Sequence, residues 1–180
     1  LAGVTSNDIV LAPNLTFVAT LNAISYTGAQ IILIDVCKNS WQLDVNLLQN
    51  LLENNTVTKV VDEKPLTIEK NSGKKIGAIM PVYVLGGFTN VDKLIELSST
   101  YGIPLIEDST EALGSFKKGR HAGTFGLTGV LSFNGNKIIS TGGGGMILTD
   151  DEYIADKAKH ITTTAKTDPL DYFHDEIGYN

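Results

Sequence analysis

The chain has 180 residues, 42% of them hydrophobic and 19% charged, which is the balance of an ordinary globular domain with room for one sizeable core. Its net charge of −6 gives no attraction to nucleic acid or an anionic membrane. A single cysteine, Cys37, excludes an intrachain disulfide framework and fits a reducing, cytoplasmic setting, and no apolar run reaches membrane-spanning length.

In chain order, residues 8–12 form a short apolar run ended by Pro13 and read as a strand. Over 14–26, Leu15, Val18, Ala19, Ala23 and Ile24 recur at helical spacing, and Thr27-Gly28 ends that helix. Residues 30–36 are a continuous apolar run, the pattern of a strand buried on both faces. The spacing predicts a helix over 43–53, and the polar stretch 54–74 reads as a loop or excursion. A strand follows over 75–84 and turns at Gly86-Gly87. An amphipathic helix occupies 91–101, with Gly102 where a left-handed cap is wanted. Residues 103–107 read as another buried strand. Strands at 128–133 and 145–149 flank a glycine-rich loop, and 150–160 opens with acidic residues and runs helical. Strands alternating with helices predict an α/β domain with a mostly parallel sheet. No internal repeat or low-complexity tract interrupts it.

In such sheets ligands sit at the carboxyl ends of the strands. Three polar segments fall there: Glu107-Asp108-Ser109, the stretch from Ser132 to Lys137, and the glycine run 142–145. Lys137 at a strand end can form an imine with a carbonyl compound, or be a solvated loop lysine. Asp108 can pair with a cationic ring nitrogen, or cap a turn. The glycine run admits close backbone approach, or makes a tight turn. It is neither a dinucleotide fingerprint, since Ile147 stands where the last glycine belongs, nor a phosphate-binding P-loop. Phe17 can stack on a flat heterocycle or fill core. His121 reads as a loop residue, and three histidines and one cysteine give no zinc pattern, so no metal is expected.

Taken together, these residues resemble the DegT/DnrJ/EryC1/StrS family of pyridoxal phosphate (PLP)-dependent sugar aminotransferases. The resemblance runs through Pro13-Asn14-Leu15-Thr16-Phe17-Val18-Ala19-Thr20 and Ile106-Glu107-Asp108-Ser109-Thr110-Glu111-Ala112-Leu113-Gly114. It is strongest from Leu131 to Lys137 and on through Gly142-Gly143-Gly144-Gly145-Met146. An acidic loop, then S-F-x-x-x-K, then a glycine-rich turn is a specific order. The resemblance implies a three-layer fold-type-I PLP-binding large domain, truncated at both ends, with the family's phosphate loop before Leu1 and the small C-terminal domain after Asn180. It implies that Lys137 is the Schiff-base lysine, that Asp108 pairs with the pyridinium nitrogen and that Phe17 stacks on the ring. Ser132 matches a hydroxyl contacting the cofactor phosphate. Glu111 matches a position at the ring's edge that is often Gln or His, so a glutamate there is a departure. Asn180, in Gly178-Tyr179-Asn180, matches a segment reaching into the neighbouring subunit of a homodimer.

Lys137 itself favours transamination, because family members that act as sugar 3-dehydrases carry histidine in its place. The activity implied is transfer of an amino group, from glutamate, to a nucleotide-linked 4-keto-6-deoxy sugar. The Asn134-Gly135-Asn136-Lys137 version resembles a narrower group that aminates UDP-4-keto-6-deoxy-N-acetylhexosamines for bacillosamine or legionaminic acid. Without its phosphate loop the chain is expected to be inactive alone. Two other readings compete: a non-catalytic folding or dimerisation unit of the same fold, and an NAD-dependent sugar-nucleotide enzyme. The last should carry a glycine-rich turn after the first strand, where this chain has Pro13-Asn14-Leu15.

Overall fold

The computed structural model describes residues 1–168, 170 and 172–179. Its elements are β1 (Asp8–Pro13), α1 (Val18–Ser25), β2 (Gln30–Ile34), α2 (Val45–Asn55), β3 (Thr56–Val61), β4 (Lys64–Glu69), β5 (Lys75–Ile79), α3 (Val91–Tyr101), β6 (Ile106–Asp108), β7 (Phe116–Lys117), β8 (Arg120–His121), β9 (Thr128–Ser132), β10 (Gly145–Leu148) and α4 (Glu152–Thr162). Strand β1 is buried along its whole length because helices cover both its faces. Ile9 and Leu11 point to one face and join Leu48 and Leu52 of α2 and Leu94 and Leu97 of α3. Val10 and Ala12 point to the other and meet Ile24 of α1. The result is helix, sheet, helix: the three layers expected.

β1 pairs in parallel with β2 and β5, and β6 pairs in parallel with β9. Parallel bridges from Ile79 to Leu105 and from Val82 to Asp108 tie the β5 side to the β6 side. The antiparallel pairs β3–β4, β4–β5 and β9–β10 make the whole mixed, around a parallel centre.

Several boundaries differ from the sequence reading, each for a local reason. The first helix begins at 18, not 14. The Asn14 N–H goes to the Ile34 carbonyl at 2.9 Å, and its side-chain amide to Asp35 at 2.9 Å, so 14–17 are tied to the end of β2. α2 starts two residues late because Asp44 caps it, accepting from the N–H groups of Asn46 (2.9 Å) and Leu47 (3.3 Å). β5 stops at Ile79, ahead of Pro81, which has no N–H to give. Most of 54–74, read as a loop or excursion, is the β3–β4 hairpin of 56–69, closed by Asp62 and Glu63, both left-handed (φ 48° and 61°) as two-residue hairpin turns require. β6 is 106–108 rather than 103–107, and His121 lies in the small β7–β8 hairpin rather than a loop. α3 ends where expected: Gly102 is left-handed (φ 62°) and its N–H caps Ser98 and Ser99. Among the described residues no helix is long and apolar enough to cross a membrane.

Candidate functional site

The carboxyl ends of β6 and β9 open, with the first turn of α1, into one pocket of ≈ 330 Å³. Phe17, Asp108, Glu111, Ser132 and Lys137 all line it. They come from three separate segments, at 17, 108–111 and 132–137, so the fold gathers residues that are up to 120 positions apart. Asn180 lies outside the described residues.

Asp108 is the last residue of β6 and is held from two sides. Its Oδ2 accepts from the Thr20 hydroxyl at 2.6 Å, and its Oδ1 from the Thr110 N–H at 3.2 Å. Its backbone is pinned as well: its N–H goes to the Pro81 carbonyl at 2.9 Å and its carbonyl accepts from Tyr83 N–H at 3.0 Å. A carboxylate has about four acceptor positions, so two stay available for an incoming cation.

Lys137 follows a tight turn in which its N–H bonds the Asn134 carbonyl at 3.0 Å. Its side chain is only 15% exposed and its Nζ stands 3.8 Å from Glu111 Oε1, at the outer reach of an ion pair. The other Glu111 oxygen accepts from Leu85 N–H at 2.8 Å. Leu85 is left-handed (φ 52°) in the short 3₁₀ turn of Val84–Gly86, so Glu111 anchors a turn as well as facing the lysine. Ser132 ends β9, and its hydroxyl makes one long bond, from Asn134 N–H at 3.3 Å. Phe17, at the N-terminal end of α1, leaves 71% of its surface open and lines the pocket, so it is not a core residue.

Two residues to which the sequence reading assigned no role support the site. Thr20 is one, four residues after Thr16; their hydroxyls lie 2.7 Å apart. Identical hydroxyls at helical i,i+4 spacing were the available signal. Glu107 is the other. It is fully buried and collects the Tyr83 hydroxyl (2.7 Å) and the N–H groups of Gly123 (3.0 Å), Phe125 and Gly126 (both 2.6 Å). Burial and then the Glu107 charge push the Tyr83 hydroxyl far above the usual phenol range, so it stays a donor.

Away from the pocket, His160, Asp175 and Glu176 bring ligand-type atoms within 4.8 Å of one another. His160 Nε2 lies 2.7 Å from Asp175 and 3.5 Å from Glu176, which also takes the Lys157 ammonium. With that cation already in place, the group is an ion-pair network fastening the C-terminal segment to α4.

The model of the DegT/DnrJ/EryC1/StrS aminotransferase family matches residues 1–180. EpsN of Bacillus subtilis (strain 168), provisionally named a pyridoxal phosphate-dependent aminotransferase, is 37% identical over 177 residues, which are 98% of this chain and 42% of EpsN. GDP-perosamine synthase of Escherichia coli O157:H7 is 36% identical over 178 residues, 99% of this chain and 43% of the synthase. A solved DegT DnrJ EryC1 StrS aminotransferase from Brucella abortus superposes with a TM-score of 0.82 at 24% identity, over 99% of this chain and 44% of that one, a likeness of fold. The chain thus spans less than half the length of each of these relatives.

Proposed function

We infer the activity from a plain fact of kinship: the chain belongs to the DegT/DnrJ/EryC1/StrS aminotransferase family. The proposal is that the longer protein carrying it is a PLP-dependent aminotransferase acting on a nucleotide-linked sugar. Residues 1–180 form part of its large PLP-binding domain, and a small C-terminal domain lies outside them. The substrate proposed is a 4-keto-6-deoxy sugar, the amino donor glutamate, and the protein partner a second copy in a cytoplasmic homodimer. The name of the Escherichia coli relative supports a GDP-linked sugar and the motif Asn134-Gly135-Asn136-Lys137 a UDP-linked one, so the nucleotide is proposed as a class only.

The observation that carries this reading is the gathering of Phe17, Asp108, Glu111, Ser132 and Lys137 around one pocket. The donor set fits PLP. A primary amine sits in a largely screened position, a carboxylate keeps acceptor positions open, an exposed aromatic side chain lines the pocket, and a hydroxyl lies at the end of β9. The volume lies at the small end of the roughly 300–1,000 Å³ usual for cofactor pockets. Bound PLP supplies a ring that accepts the electron pair released at the substrate carbon. The chain's own groups do the rest. Lys137 Nζ would be the nucleophilic nitrogen that holds the cofactor and the base that would carry a proton to and from the substrate carbon. Asp108 would hold a proton on the ring nitrogen by pairing with it. Phe17 would cover one ring face, and Ser132 would donate to the phosphate. Glu111 keeps the 84–86 turn in place and sets a negative charge beside the amine.

Addition of PLP, borohydride reduction and peptide mass mapping test the proposal, on the 180 residues and on the longer protein. A phosphopyridoxyl group on Lys137, absent in Lys137→Ala, is the expected result in the longer protein. No label there overturns the PLP reading and leaves a non-catalytic folding unit. The 180 residues alone are expected to show no turnover, because Ser132 is a single hydroxyl and a phosphate dianion is ordinarily gripped by several donors.

A further inference from the structure

We propose that Thr20 is a positioning residue for Asp108, orienting the carboxylate on which the cofactor's ring nitrogen would rest. The inference depends on the PLP reading above and adds to it a residue outside the reacting set. Thr20 is 5% exposed and donates its hydroxyl to Asp108 Oδ2 at 2.6 Å, a bond that joins α1 to β6 across 88 positions of sequence. Its oxygen lies 2.7 Å from the Thr16 hydroxyl, a contact in which either group can donate, and the only other acceptor in reach of Thr16 among the described residues is the Phe17 carbonyl at 3.3 Å. With the single Thr20 proton committed to Asp108 at 2.6 Å, the Thr16–Thr20 contact is satisfied when Thr16 donates, a relay of two hydroxyls that ends on the carboxylate.

The geometry explains why this is more than a packing contact. A carboxylate rotates about its last bond, and a strand end alone fixes only the backbone. The Thr110 N–H bond to Oδ1 is long at 3.2 Å and comes from the same turn, so it restrains rotation weakly. The short bond from Thr20 comes from a different element and fixes the plane. Thr20 also lies one helical turn from Phe17, and the Thr20 N–H bonds the Phe17 carbonyl at 3.2 Å. One turn at the start of α1 therefore carries both Phe17 and the donor to Asp108, the two residues that would meet the ring.

The test uses Thr20→Val, which keeps the shape and removes the donor, and Thr20→Ser, which keeps the donor, in the longer protein. PLP affinity is read by titration, the visible absorbance of the bound cofactor is followed against pH, and the thermal midpoint is measured without PLP. We expect Thr20→Val to weaken PLP binding about tenfold, the scale of one hydrogen bond to a charged group, and to shift the pH dependence of the absorbance. Thr20→Ser should stay within about twofold of wild type by the same scale and keep the cofactor-free midpoint, whereas Thr20→Val, which removes a bond the cofactor-free fold also makes, should lower that midpoint modestly. Thr16→Ala, which removes only the outer hydroxyl, should give a smaller effect of the same sign. Wild-type binding and absorbance in Thr20→Val overturns the inference and leaves the PLP reading standing. A fall in Thr20→Ser equal to that in Thr20→Val also overturns it, since shape rather than the donor would then matter. A wild-type protein that takes no PLP on Lys137 overturns both, and the borohydride map identifies that case.

Discussion

Substituting Glu107 by glutamine should destabilise the protein by about 3 kcal/mol, and the structure shows where that figure arises. The side chain is fully buried and its two oxygens face four donors. An amide replaces one oxygen with an NH₂ group. At the Oε1 position that group would oppose the N–H groups of Phe125 and Gly126, both at 2.6 Å, and neither can turn away. At the Oε2 position it opposes Gly123 N–H at 3.0 Å and the Tyr83 hydroxyl at 2.7 Å, and the hydroxyl can rotate to accept instead. The amide takes the second arrangement. One buried N–H, that of Gly123, then loses its acceptor, at a cost of about 1–3 kcal/mol. The remaining bonds also lose their charge assistance, roughly half their strength. Against a total stability of about 5–15 kcal/mol the variant still folds. Urea denaturation measures the loss, followed by far-UV circular dichroism and by fluorescence of the single tryptophan, Trp41. With a slope of about 2 kcal/mol per molar urea the midpoint should fall by about 1.5 M. Glu107→Ala leaves all four donors unpaired and should abolish cooperative folding. A Gln variant within about 0.5 kcal/mol of wild type, smaller than one typical net hydrogen bond, would refute the account of Glu107 as the anchor of the 123–126 loop.

Two further substitutions probe the sheet edge and its supports. A Cβ on Gly102 would lie 2.3 Å from the Pro65 carbonyl oxygen in β4, and the residue is left-handed. Gly102→Ala should cost about 3 kcal/mol in urea denaturation, left-handed strain plus the clash. Gly102→Asn, which tolerates that backbone, should do little better, whereas a mild Asn variant would show strain rather than the close approach to be dominant. The Glu69 carboxyl is held below the usual range, first by the Asn71 N–H and then by the Ser72 hydroxyl and N–H. A depressed folded-state value stabilises the fold above the unfolded value of 4.5 and loses that stabilisation as pH falls through the folded one. The advantage of wild type over Glu69→Gln in urea midpoint should therefore be constant near neutrality and vanish in acid; an advantage that survives or grows in acid contradicts the assignment.

What the sequence revealed of this molecule follows from how local each signal is. Strand β1 and helix α3 were readable because burial on both faces, or on one helical stripe, writes itself as an apolar pattern, and Gly102 marks a stop that needs no distant partner. The β3–β4 hairpin was not. Val57, Val60 and Val61 face outward on an edge strand, and the burial that makes the hairpin worthwhile comes from elsewhere, through the Thr67 hydroxyl on the Tyr101 carbonyl at 2.6 Å. Asp62-Glu63 also lacks the Asn-Gly or Asp-Gly signal of such turns. The pocket residues were identified by motif order, a signal of chemistry that does not depend on local conformation. Their supports escaped for the opposite reason: the partners of Thr20 and Glu107 are distant in sequence and only the fold brings them near.

The two poles of the pocket are built to different stiffness, and that asymmetry suits their proposed roles. Asp108 ends a strand, is bonded through backbone N–H, backbone carbonyl and both side-chain oxygens, and can hold one orientation. Lys137 belongs to the connection between β9 and β10, closed chiefly by bonds among its own residues: Phe133 N–H to the Gly144 carbonyl at 2.9 Å, and Thr141 N–H to the Phe133 carbonyl at 3.0 Å. Ile138 and Ile139 beside it are exposed, so little buried area holds this loop down. A group that pairs with a fixed ring nitrogen gains from rigidity, because any rotation of the carboxylate lengthens the bond it must keep. A group that must anchor a cofactor, release it, and then reach the substrate carbon needs travel, and a flexible side chain on a self-contained loop provides it without disturbing the sheet. Stiffening the loop should therefore slow the lysine's exchange between those positions, while loosening the Asp108 end should weaken cofactor binding itself.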